Sequence, residues 1–150
     1  MITEMKTKII VHIGTEKTGT TSIQEFLKNN RNILAKNGIY IPLSLMDSSS
    51  NHRWLPLIAN NQDFKDEFVK KKNLEDPVLR QTKLSEIKDN FSNEIKKNVT
   101  LCPTFIVSSE QLHSRLNRLE EIERLQEYLS NLFDEVKILI YLRHQLSTAV

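Results

Sequence analysis

The sequence predicts an α/β fold: a parallel sheet flanked by helices, on three observations. Short, apolar, β-branched runs stand at Lys8–Ile13, residues 104–107 and residues 136–142. Between them lie long stretches whose apolar residues recur every three or four positions. Only 3 glycines and 4 prolines interrupt 150 residues, so most of the chain is free to form regular elements. Strands alternating with helices read as βαβ units, because parallel neighbours need a crossover that covers a face of the sheet.

Taken in order, Lys8-Ile9-Ile10-Val11-His12-Ile13 is a strand buried on both faces and stopped by Gly14. Residues 20–36 place Ile23, Phe26, Leu27, Ile33 and Leu34 near helical spacing, and Asn37-Gly38 ends that helix. Ile39-Tyr40-Ile41 reads as a short strand before Pro42, followed by a serine-rich loop over residues 43–50. Residues 52–60 suit a short helix, and residues 64–73 a charged surface helix. Leu84, Ile87, Phe91 and Ile95 mark an amphipathic helix over residues 78–98. Leu119, Ile122, Leu125, Leu129, Leu132 and Phe133 form a further helical stripe between the last two strands. Residues 143–150 begin one more helix. Three good strands make a sheet with poor cover, so residues 1–150 are expected to form one domain that is the N-terminal part of a larger one.

With 39% hydrophobic and 27% charged residues, the composition is that of a soluble globular domain. The formal charge of +2 falls short of the basic excess expected of a nucleic-acid binder. Cys102 has no partner for an internal disulfide, and no cysteine–histidine spacing suggests zinc. Neither an apolar leader nor a membrane-length run is present, and a cytoplasmic setting is expected.

The chemistry concentrates after the first strand, in Gly14-Thr15-Glu16-Lys17-Thr18-Gly19-Thr20-Thr21. Gly14 and Gly19 have the spacing of a phosphate-cradling loop, where glycine permits unusual dihedrals and close approach of backbone amides to anionic oxygens. The helix that follows offers unpaired N–H groups and its positive dipole end. Thr18, Thr20, Thr21 and Ser22 add hydroxyl donors, and Lys17 adds a full positive charge. An ATP- or GTP-binding loop would carry its lysine directly after the second glycine, where Thr20 stands here. Ser108-Ser109-Glu110 is the one place where a magnesium-holding acid would fit. A plain turn between strand and helix does not account for the loop lysine, the Thr/Ser cluster and the buried strand together.

His12-Ile13-Gly14-Thr15-Glu16-Lys17-Thr18-Gly19-Thr20-Thr21-Ser22-Ile23-Gln24 resembles the 5′-phosphosulfate loop of PAPS-dependent sulfotransferases, particularly bacterial sulfotransferase-like proteins. Phe105-Ile106-Val107-Ser108-Ser109-Glu110-Gln111-Leu112 resembles that family's strand and Ser-Ser-Glu turn, and Ile138-Leu139-Ile140-Tyr141-Leu142-Arg143-His144-Gln145 its strand ending in Leu-Arg-x-Gln. The resemblance is discontinuous and leaves residues 43–98 unmatched. The family's serine partner for the arginine falls past Val150, with Ser147 too close to replace it.

The resemblance implies a P-loop NTPase-like three-layer sandwich that moves a sulfonate from PAPS to a hydroxyl or amine of a small-molecule or glycan acceptor, releasing adenosine 3′,5′-bisphosphate. Lys17 would stabilise charge on the bridging oxygen, Gly14 and Thr18 to Ser22 would hold the 5′-phosphosulfate, and Arg143 would grip the 3′-phosphate. No metal is required on this reading. For the base, the resemblance offers His52 in Ser50-Asn51-His52-Arg53-Trp54-Leu55, with Glu110 as its rival; each also suits a purely structural place near a helix start. His12 reads as a hydrogen-bonded core residue, and His113 and His144 lack spacing partners for a metal. Trp54 and Tyr40 suit an acceptor pocket or plain core, and Lys70-Lys71-Lys72 and Lys96-Lys97 a solvated surface. A P-loop kinase or NTPase with a displaced lysine, and a non-catalytic nucleotide-binding module, are the competing readings.

Overall fold

The computed structural model describes residues 6–15 and 19–142. Their element order is β1 (Lys8–Ile13), α1 (Thr20–Asn29), α2 (Arg31–Lys36), β2 (Ile39–Tyr40), α3 (Trp54–Ala59), α4 (Glu67–Lys71), α5 (Pro77–Asn98), β3 (Thr104–Ser109), α6 (Gln111–Arg115), α7 (Leu119–Ser130) and β4 (Glu135–Ile140). The strands form one all-parallel sheet in the order β2-β3-β1-β4, flanked by helices. Ile13 sits opposite both Ser109 and Ile140, so three strands end level and deliver their following loops to one edge.

The expected strands and the α/β class are all present. The expected single helix over residues 20–36 is two, because Asn30 turns the backbone out of helical geometry (φ −103°, ψ 12°). The Asn30 amide side chain donates to the Phe26 carbonyl at 2.8 Å, a local bond that competes with helix propagation. Its apolar stripe is also only partly used: Phe26 and Ile33 are exposed, and α1 buries Thr20, Gln24 and Leu27 instead. The five-residue α6 is too short to show a period and escapes sequence reading.

On one face, Phe105 of β3 meets Phe133 at 5.2 Å between ring centroids, and Phe133 meets Phe91 of α5 at 6.2 Å. Trp54 packs edge-on against Phe68 at 5.1 Å. Trp54 is therefore core, as is the ring of Tyr40, which lies 5.3 Å from that of Phe105. β4 departs from expectation. Its apolar run reads as a good strand, but among the described residues it stands at the edge of the sheet with Ile138 59% exposed. Among the described residues no helix is long and apolar enough to cross a membrane.

Candidate functional site

The connection from β1 to β2 passes β3 toward one edge of the sheet, and that from β3 to β4 passes β1 toward the other. Crossovers of one hand running in opposite directions put their helices on opposite faces. Consistent with this, α3 packs on both α5 and α7, the helices of the connections that run the same way. The connections after β1 and β3 thus lead to opposite faces of the sheet, and ligands of open α/β sheets bind at the carboxyl ends of such strands.

On the β1 side the two glycines are required for different reasons. A Cβ on Gly14 would lie 2.4 Å from Thr20 Cγ2 and 2.6 Å from its Oγ1, so the side chain opening α1 packs directly on the glycine backbone. Gly19, the residue before α1, has φ 79° and ψ 19°, the left-handed region that favours glycine. The first turn of α1 holds no acid, so nothing in that turn offsets the positive end of the helix dipole. Thr20 is buried, its hydroxyl donating to the Thr15 carbonyl at 3.2 Å. Thr15 in turn donates to the Tyr141 carbonyl at 3.4 Å, tying the loop to the end of β4. Thr21 and Ser22 are exposed at the helix start. Lys17, Thr18 and Arg143 lie outside the described residues.

On the β3 side, Ser109 Oγ donates to Gln111 Oε1 at 3.2 Å, Asn51 Nδ2 donates to the same oxygen at 2.6 Å, and Gln111 Nε2 donates to Glu110 Oε1 at 3.3 Å. Glu110 is half-buried at this tip, one residue beyond the position registered with Ile13. The roles of Asn51 and Gln111 are not legible from sequence: both are polar residues beside a motif, and only folding brings segments 60 positions apart into contact.

His12 is a core residue as expected, its Nδ1 2.7 Å from Ser108 Oγ and its pKa pushed down by burial. His52 is placed otherwise than the base reading requires. It is 0% exposed, Ser108 N–H donates to its Nδ1 at 3.0 Å, and its Nε2–H donates to the Pro42 carbonyl at 3.0 Å. The main-chain amide of His52 also donates to the Ser108 carbonyl at 3.0 Å. With both ring nitrogens on backbone and burial pushing its pKa down to about 4, His52 pins the loop after β2 onto β3. It presents no lone pair to a substrate.

Arg53, next in sequence, is buried beside Asp66, which it engages in an ion pair, and its guanidinium lies 4.6 Å over the Phe68 ring. Of the lysine run, Lys72 is not simply solvated: it pairs with Asp47 and lies 5.9 Å over Trp54. Gln24, buried in α1, has an Nε2 with no hydrogen-bond partner among the described residues. Comparison with protein-family models, with curated proteins and with solved structures finds no match to this chain.

Proposed function

We propose that this protein is a PAPS-dependent sulfotransferase on a P-loop NTPase-like three-layer fold, acting on a hydroxyl or amine of a small-molecule or glycan acceptor. The observation that carries the reading is the packing of Thr20 onto Gly14. It sets the start of α1, whose first turn holds no acid, against the glycine that ends β1, an arrangement that suits a phosphate-sized anion. Two observations support this: Gly14 lacks the Cβ that would strike the Thr20 side chain, and Thr21 and Ser22 are exposed at the helix start. Gly14, Lys17, Thr18, Gly19, Thr20, Thr21 and Ser22 would hold the 5′-phosphosulfate, and Arg143 the 3′-phosphate.

Bound PAPS supplies the sulfonate that passes to the acceptor. The Lys17 ammonium balances charge growing on the bridging oxygen, an interaction strongest in the transition state. Glu110 is the base of choice: its carboxylate stands half-buried at the β3 tip, oriented by the Gln111 amide, whereas His52 is enclosed.

Calorimetry with adenosine 3′,5′-bisphosphate and with ATP, each with and without magnesium, tests the donor. The bisphosphate is expected to bind without metal and more tightly than ATP. Binding of ATP alone, dependent on magnesium, would place the protein with P-loop phosphoryl-transfer enzymes instead. Lys17→Ala should lower sulfonate transfer by about a hundredfold or more while leaving the urea midpoint unchanged. Undiminished turnover in that variant removes lysine from the mechanism.

A further inference from the structure

Arg53, Lys65, Lys70 and Arg115 line a cleft of about 620 Å³, with Asp66 and Glu67 as its acids and Gln111 in its wall. Its size falls among small-molecule sites, which run from roughly 300 to 1,000 Å³. Four cations meet two carboxylates there, and Asp66 has both its oxygens engaged. Asp66 Oδ1 accepts the Val69 amide at 3.0 Å as the cap of α4, while Oδ2 pairs with Arg53 Nη2 and lies 3.4 Å from Arg115 Nε. Glu67 is exposed in the first turn of α4, where the preceding cap holds the chain and the helix dipole favours an acid.

One carboxylate therefore serves two guanidiniums. The Arg53 side chain is only 8% exposed, yet its Nη1 has no hydrogen-bond partner among the described residues, and neither has Arg115 Nε. A buried charged donor left without an acceptor is costly, and the usual remedy is an oxyanion that fits the planar guanidinium fork. Burial holds the Arg53 pKa below its ordinary value, with Asp66 offsetting part of that and the neighbouring Arg115 cation adding to it.

The cleft also adjoins the site. Gln111, in its wall, bonds to Ser109 and Asn51 and donates to Glu110, at the β3 tip registered with the residue before Gly14. We infer that the cleft is the acceptor subsite and that it selects an anionic acceptor, one whose carboxylate or sulfate group meets the Arg53 and Arg115 guanidiniums beside Asp66. The inference rests on the sulfotransferase reading for what becomes of the acceptor. The binding of the anion stands on the cleft itself.

Three probes with matched hydroxyls test it: 4-nitrophenyl glucoside, the corresponding glucuronide, and the glucoside 6-sulfate, titrated into the full chain at low salt and followed by amide and arginine Nε–H chemical shifts. Both charged probes are expected to bind about tenfold or more tightly than the neutral one, shifting Gln111, Arg53 and Arg115. Arg115→Gln, at a half-buried position, and Arg53→Lys, which keeps the charge but loses the fork, should each abolish that preference and leave adenosine 3′,5′-bisphosphate binding unchanged. Equal binding of all three probes, or shifts scattered over surface lysines, overturns the subsite even if the bisphosphate binds. Charged probes bound with the arginine dependence, in a protein that ignores the bisphosphate, uphold the subsite and remove the sulfotransferase reading.

Discussion

At Gly14 an added Cβ would strike the Thr20 side chain that opens α1, whereas at Gly19 nothing among the described residues lies within 4 Å and the backbone angle objects. The two positions therefore fail differently. Gly14→Ala should cost roughly 1–3 kcal/mol through overpacking and weaken anion binding, because the helix start itself is displaced. Gly19→Ala should cost roughly 1–2 kcal/mol from left-handed strain, with much of the loss recovered by Gly19→Asn, whose side chain tolerates that region. Urea midpoints of the three variants check this; a Gly19→Asn no more stable than Gly19→Ala would remove backbone strain as the reason for glycine at 19. Both glycines are legible from their spacing in the sequence, but not the reasons they are needed, since one depends on a neighbour's side chain and the other on a dihedral.

Among the elements, the segment between β2 and α3 is held by two side chains: Glu94, which accepts the Leu43 and Ser44 amides at 2.8 and 3.0 Å, and His52. Exposed imidazole titrates near 6.5, and burial holds His52 down to about 4. Between those values the unfolded chain takes up a proton that the native chain refuses. The contribution of neutral His52 is thus complete above pH 6.5 and lost as pH falls toward 4, about 3 kcal/mol over the interval. Unfolding free energies at pH 7 and 4.5 should diverge in the unmodified protein and converge in His52→Gln; an unchanged pH slope in the variant would show that this ring does not carry the effect. The sequence places a histidine beside a helix start, which suits a base and a structural pin equally. Its partners, Ser108 and Pro42, lie 56 and 10 positions away, and only their carbonyl and amide directions decide between the two.

For the molecule as a whole, the sheet order β2-β3-β1-β4 makes β1 and β3 central, and the aromatic cluster of Phe91, Phe105 and Phe133 joins α5, β3 and the turn after α7 across it. Phe91 is fully buried, so Phe91→Ala should cost roughly 3–5 kcal/mol. Trp54, the single tryptophan, is buried against the same core and reports on it independently of far-UV dichroism. Both signals should shift together to lower urea in the variant. Separate transitions would mean that the segment around Trp54 unfolds apart from the sheet.

The sequence by itself determined the α/β class, the four strands, the long helix α5 and the two glycines of the first loop, because period, β-branching and chain punctuation are local properties of neighbouring residues. Only the tertiary structure decided that β4 is an edge, that His52 is enclosed by backbone, and that Arg53 and Arg115 share one carboxylate beside Gln111. Those facts depend on which distant segments a sheet brings together, and on how many polar partners each buried group then finds, neither of which is written in the spacing of residues along the chain.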